Sequence, residues 1–297
     1  MNRQDQSTTD RNAGVKAGCC AVPPDPEQLV EQVRARYGAI ARSGRSGDCC
    51  GPTLGATCCT PPSQSTSKVG YTPDELATLP EGADLNLGCG APVGLLDLRP
   101  GETVLDLGSG AGLDVFLAAK QVGPGGKAIG VDMTPEMLDR ARQNATRSGH
   151  TNVEFREGRL EALPVADASV DAVTSNCVIN LVPDKGKVFK EVARVLRPGG
   201  RLVVSDIVLD GELPNAIKGD LLAYTGCVAG AMPRSRYFET MAEAGLTDIE
   251  VLHDVDVSSI FDDGALEEAQ AKLERAGVDW TSLRGVVHSI TYRAVKR

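Results

Sequence analysis

A chain of 297 residues is long enough for one elaborated α/β domain with a smaller appendage. Its net charge of −9, with no clustering of Lys and Arg, excludes a surface built to neutralise nucleic-acid phosphates. No apolar run approaches the roughly 20 residues of a membrane span, and the opening MNRQDQSTTDRNAG lacks the apolar core of a signal peptide, so no membrane association is expected and the predicted location is cytoplasmic. In that compartment the nine cysteines are expected as reactive thiols or metal ligands rather than disulfides.

Residues 1–24 are polar and Gly-containing, carry the pair Cys19-Cys20, and read as a disordered tail. A helix and cysteine-rich segment spans 25–92. Its helix starts with Asp25 as N-cap and Pro26 in the first turn, and Leu29, Val30, Val33, Tyr37 and Ile40 share one face. From Gly44 to Gly70 the Gly, Pro, Ser and Thr content predicts a loop holding Cys49-Cys50 and Cys58-Cys59. A short helix opens at Thr72-Pro73-Asp74-Glu75, and Asn86-Leu87-Gly88-Cys89-Gly90 leads into a core predicted over 93–210.

That core begins with Gly101 to Gly112, GETVLDLGSGAG. Val104, Leu105 and Leu107 suit a buried parallel strand, and Gly108, Gly110 and Gly112 turn the chain into a helix from Leu113. Such glycines permit positive φ and let a ligand approach main-chain N–H groups. A second strand, Lys127 to Asp132, ends in an acid twenty residues after Gly112, where it can accept both hydroxyls of a ribose lying over the first turn; Met133 and a helix opening Thr134-Pro135-Glu136 follow. Gly158-Arg159-Leu160, after a third strand at Val153-Glu154-Phe155, can supply a wall or backbone donor for an adenine. A fourth strand, Ser169 to Asn176, delivers Cys177 to the carboxyl end of the sheet. Lys185 to Leu196 is a helix stopped by Pro198-Gly199-Gly200, and Arg201 to Val208 is the fifth strand. Residues 211–235, with Cys227, form a helical and loop lid. Residues 236–297 supply a helix, an acidic helix around Asp262-Asp263 and Glu267-Glu268 with a solvated face, and two strands ending in Val286 to Ala294.

The segment from Gly101 to Val208 resembles the S-adenosylmethionine site of class I methyltransferases. The resemblance implies a Rossmann-like α/β fold with a seven-stranded, mostly parallel sheet, an antiparallel edge strand, a cysteine-rich N-terminal extension and a lid. It implies S-adenosylmethionine as cofactor, with Asp106, Gly108, Ser109, Gly110, Gly112, Asp132, Met133, Gly158, Leu160 and Asn176 around it; Asn176 either contacts the cofactor or shapes the Cys177 turn.

The fold does not name the methyl acceptor. An O- or N-methyltransferase would want a general base, but His150, His253 and His288 read as structural. Cys89, Cys177 and Cys227 instead occupy loops at or over the carboxyl edge, and three soft thiolates without histidine suit a trigonal thiophilic centre such as As(III) better than tetrahedral zinc. Ser175-Asn-Cys-Val-Ile-Asn-Leu181, Gly88-Cys-Gly90 and Thr225-Gly-Cys-Val-Ala-Gly-Ala231 resemble the cysteine motifs of the arsenite S-adenosylmethionine methyltransferases. This resemblance implies Cys177, Cys227 and Cys89 as As(III) ligands, arsenite or its thiol conjugates as substrate, and a relay from Cys49 or Cys50 to Cys89 regenerated by thioredoxin or glutathione. A monomer is expected. Two other readings stand beside it: a C-methyltransferase for a quinone or sterol-like acceptor, and a non-enzymatic thiolate module that sequesters soft metals or metalloids.

Overall fold

The computed structural model describes residues 25–43, 66–67, 69–218, 221–257, 273–274 and 277–297. The expectations for Cys19, Cys20, Cys49, Cys50, Cys58 and Cys59, and for the acidic stretch at 262–268, lie outside the described residues.

Seven strands form one sheet in the order β3-β2-β1-β4-β5-β7-β6. They are β1 (Thr103–Leu107), β2 (Lys127–Asp132), β3 (Val153–Glu157), β4 (Val170–Asn176), β5 (Leu196–Leu209), β6 (Leu246–Asp256) and β7 (Val287–Lys296). The first five pair in parallel, and β7 runs antiparallel to both neighbours. The antiparallel strand expected at the edge therefore lies one position inside it, and β6 forms the edge. Burial explains the order: Ile290, Tyr292 and Ala294 of β7 are fully buried, whereas β6 is exposed at Asp248, Glu250, Val251 and from His253 to Val255 and carries charge, as an edge must.

Helices cover both faces because successive β1 side chains point opposite ways. Leu105 and Leu107 join a core with Phe189 and Val192 of a helix at Lys185–Val195, and Tyr237 and Met241 of a helix at Arg234–Glu243. Val104 joins the other core with Val115 and Phe116 of the helix Leu113–Val122 and Leu138 of the helix Pro135–Ser148. The Pro198-Gly199-Gly200 stop ends the helix at Val195 but does not postpone the strand. Val170 pairs with Leu196 and Ala172 with Arg201, so the intervening turn, with Gly199 at φ +77°, is looped out as a bulge of β5.

The strand order reverses between β1 and β4. In open α/β sheets the crevice for ligands lies there, outside the carboxyl ends. Helix α1 (Pro26–Ser43) and the short helices Asn215–Lys218 and Leu221–Thr225 lie around that end. Arg36 donates to the Thr225 hydroxyl and Tyr37 to the Thr225 carbonyl, tying α1 to the segment that carries Cys227.

Candidate active site

The turn after β1 has the backbone its glycines permit: φ is +67° at Gly108, +51° at Gly110 and +100° at Gly112. A Cβ on Gly108 would collide with Val178, and one on Gly112 would stand 2.7 Å from Phe116. These two positions need glycine for space as well as for φ. Asp132, at the end of β2, accepts from Gly110 N–H at 2.9 Å and from Thr134 N–H at 2.8 Å, which locks the acid under the turn.

An open cleft of about 1170 Å³ lies over this unit. Asp106, Gly108, Ser109, Gly110, Asp132, Met133, Gly158, Leu160 and Asn176 all line it, with Val33 and Tyr37 of α1 as its cover. Gly112 does not; it packs behind the turn against Phe116 and Phe155. Three buried carboxylates, Asp106, Asp114 and Asp132, belong to the cleft wall. Burial raises each above the ordinary carboxylate range, to about 6 for Asp114, and for Asp106 the neighbouring Asp114 and Asp132 raise it further. Among the described residues, the Asp106 carboxylate takes no hydrogen bond. A wall of desolvated acids over a glycine turn fits a cationic nucleoside, and S-adenosylmethionine carries a sulfonium and an ammonium on an adenosine.

Three thiols from distant parts of the chain meet at the end of β4. Cys177 follows that strand at φ +58°, and its N–H donates to the Ser205 carbonyl at 2.8 Å. Cys227 follows the helix Leu221–Thr225 at φ +66°, and its thiol donates to the Cys177 carbonyl at 2.8 Å. Cys89 arrives on a turn whose flanking glycines are sterically required. A Cβ on Gly90 would run into Ser205 and Thr291, and one on Gly88 into the Asn176 amide. The Cys89 N–H donates to Asn176 Oδ1 at 3.0 Å, and its carbonyl accepts from the Ser289 hydroxyl at 2.9 Å.

Cys177 and Cys227 are buried and Cys89 is half-buried. Hydrogen bonding to Cys227 and Cys89, together with burial, pushes the Cys177 thiol well above its ordinary range. For Cys227 the hydrogen bond to Cys177 acts downward, but burial and the charges of Asp206 and Cys89 outweigh it, and its thiol is raised too. Both buried thiols are therefore protonated at neutral pH. Among the described residues, no three His, Cys, Asp or Glu side chains stand in a ready-made metal-ion arrangement, so the thiols are neighbours without being a closed triad.

A methyltransferase-domain family model matches residues 98–271. The chain is 48% identical over 234 residues to an arsenite methyltransferase of Halobacterium salinarum, covering 76% of this chain and 59% of that protein. It is 41% identical over 198 residues to one of Aquipseudomonas alcaligenes, covering 64% and 56%. Among solved structures it is similar to an arsenic(III) S-adenosylmethionine methyltransferase of Chlamydomonas reinhardtii, with a TM-score of 0.58 and 33% identity over 80% of this chain and 75% of that one. The chain belongs to the arsenite S-adenosylmethionine methyltransferases. It spans rather more than half the length of the two curated relatives.

In this family member, none of the three histidines lines the cleft over the glycine turn. His150 packs on Phe116 and His288 pairs with Asp254 at 2.7 Å. Sequence reasoning missed Tyr71 and Asp114. The Tyr71 hydroxyl donates to Asp114 at 2.7 Å, and Asn176 Nδ2 donates to Tyr71 at 2.9 Å and to the Gly90 carbonyl at 2.7 Å. Asn176 thus shapes the Cys89 turn, two loops away, as well as lining the cleft. An acid in the first turn of the helix after GSGAG was the available signal for Asp114; nothing local marks Tyr71.

Proposed function

We propose that this chain transfers the methyl group of S-adenosylmethionine to trivalent arsenic bound by Cys89, Cys177 and Cys227. The observation that carries the reading is the meeting of these three thiols beside a cleft lined by buried acids. Asp132 and the N–H groups of the GSGAG turn hold the nucleoside, and Asp106 and Asp114 offset the cationic charge. Bound there, S-adenosylmethionine supplies an electrophilic methyl on a sulfonium.

The chain's own contribution is chiefly to position and to exclude water. Neutral thiols exchange onto arsenic as As–S bonds replace As–O or As–S bonds, and each thiol proton departs on the outgoing hydroxyl or thiol. Arsenic held by three thiolates keeps its lone pair, so the acceptor has no proton to lose and needs no general base. The product is formally As(V). Its return to As(III) needs two electrons, for which Cys49 or Cys50 with Cys89, and thioredoxin or glutathione as reductant, are the proposed source. Residues 211–235, tied to α1 through Thr225, serve as the lid of the arsenic site.

Arsenic speciation after incubation with arsenite, S-adenosylmethionine and thiols tests this. Methylated arsenic is expected from the wild type and is expected to fall at least 100-fold in Cys177→Ser and Cys227→Ser, with S-adenosylmethionine still bound. Full turnover by Cys177→Ser would overturn the ligand assignment. Cofactor binding without any methylated arsenic would overturn the acceptor.

A further inference from the structure

We infer that Tyr224 is a positioning residue for the arsenic site, whose hydroxyl keeps the Cys227 sulfur beside Cys177 once arsenic has displaced the thiol protons. The inference deepens the function proposed above and rests on it. Two short segments face each other here: the end of β4 with the 3₁₀ turn Ile179–Leu181 that follows it, and the lid from Tyr224 to Gly230. Two bonds join them in register. The Cys227 thiol donates to the Cys177 carbonyl at 2.8 Å, and the Tyr224 hydroxyl donates to the Leu181 carbonyl at 3.0 Å. The first bond lasts only while Cys227 keeps its proton. A sulfur bound to arsenic has none to donate, so of these two bonds the tyrosine's alone survives loading.

Tyr224 is placed to transmit that hold to Cys227. Its own carbonyl accepts from the Cys227 N–H at 2.9 Å, and the Ala223 carbonyl accepts from the N–H groups of Val228 at 2.9 Å and Ala229 at 3.0 Å, so the hydroxyl and the thiol belong to one wound turn. Gly230 lets this turn sit down: a Cβ there would stand 2.1 Å from the Asn180 carbonyl oxygen and 3.1 Å from the Tyr224 ring. The seat is itself fixed, because Asn180 Nδ2 donates to Asp206 at 2.9 Å and to the Ile207 carbonyl at 2.6 Å. Burial, then the nearby Cys227 and Glu161, push the Tyr224 hydroxyl up to about 12, so it remains a donor at neutral pH. Cys177 and Leu181 line the cleft over the glycine turn and Tyr224 does not, so its hydroxyl acts on the placement of the thiol and not on the cofactor.

Tyr224→Phe removes the hydroxyl and keeps the ring, and Gly230→Ala lifts the same turn off its seat by a different route. The readouts are iodoacetamide labelling of Cys227 and Cys89 in the arsenic-free protein, followed by peptide mass spectrometry, and titration of As–thiolate absorbance with arsenous acid. In Tyr224→Phe, Cys227 is expected to label about fivefold faster with Cys89 unchanged, and the affinity for arsenous acid to fall about fivefold, the worth of one hydrogen bond. The KM for arsenite should rise with it, with kcat and the affinity for S-adenosylhomocysteine unchanged. Gly230→Ala should shift the same quantities in the same direction and further. Unaltered Cys227 labelling or unaltered arsenic affinity in Tyr224→Phe, or an equal rise in labelling at Cys89, would overturn the assignment. A parallel loss of S-adenosylhomocysteine affinity, which a merely structural role would give, would also overturn it. Labelling is read without arsenic, so a wild type that takes up no arsenic would overturn the functional reading, while a selective rise at Cys227 in Tyr224→Phe would still support the placement of the thiol.

Discussion

Cys177 and Cys227 both have left-handed backbone, at φ +58° and +66°, a conformation in which an L side chain costs roughly 1–2 kcal/mol and which glycine adopts freely. The surrounding structure holds them there, through Cys177 N–H to Ser205 and Cys227 N–H to Tyr224. Strain of this kind persists where a side chain is needed at a point the backbone would not otherwise choose. It also reverses the usual ranking of small residues. Cys177→Gly should be about 1 kcal/mol more stable than Cys177→Ala in urea unfolding, and the same order should hold at Cys227. An alanine variant more stable than its glycine counterpart at both positions would show that the positive φ is not maintained. The three motifs around these cysteines could be read in the sequence because each couples a thiol to an unusual local neighbourhood. The backbone strain could not be read there, since nothing in SNCV or GCV requires positive φ at the cysteine.

At the level of elements, a single side chain at the end of β4 joins the two halves of the site. Asn176 Oδ1 accepts from the N–H groups of Cys89 and Gly90, while Nδ2 donates to the Gly90 carbonyl and to Tyr71, which in turn holds Asp114. The amide's two ends are matched to donors on one side and acceptors on the other. Asn176→Asp would place an oxygen 2.7 Å from the Gly90 carbonyl and bring another carboxylate toward Asp114. We expect a loss of about 2–4 kcal/mol in urea unfolding, together with faster iodoacetamide labelling of Cys89 as its turn is released. Unchanged labelling at the same destabilisation would mean that the amide supports the fold without positioning the thiol. The strands, helices and glycine turn were legible because each carries its own period or punctuation. This junction was not, because Tyr71, Gly90, Asp114 and Asn176 come from four segments and none announces its partner. The inner position of β7 was hidden for a similar reason. Periodicity marks β6 and β7 as strands, but the order of insertion depends on which of them buries both faces, a property of the assembled sheet.

Across the whole molecule, the sheet is buttressed by a second buried polar centre behind the thiols. Asp206 of β5 is fully buried; its Oδ1 accepts from Asn180 Nδ2 and Ile207 N–H, both at 2.9 Å, and its Oδ2 from the Tyr237 hydroxyl at 3.0 Å, with Tyr292 behind Tyr237. Burial drives its carboxyl up from an ordinary value near 3.8 to about 6, despite these hydrogen bonds and the opposing charge of buried Lys185. Between those two values the folded chain keeps a proton that the unfolded chain gives up. The stability due to this retained proton is full below about pH 4 and is lost as the pH rises through 6, the reverse of a salt-bridged acid. The gap converts to roughly 3 kcal/mol. Asp206→Asn removes the titration while keeping an acceptor for Asn180 and Ile207. Whatever the variant's absolute stability, its difference from the wild type should shift in the variant's favour by roughly that amount between pH 4 and pH 7. Groups common to both proteins cancel in the difference, and the Lys185 field is already contained in the raised value. Urea unfolding at pH 4, 5, 6 and 7 measures it. A difference independent of pH would mean that Asp206 is ionised throughout and that Lys185 is its full partner; a rise centred between pH 4 and 6 would place the cost of the buried acid in the fold.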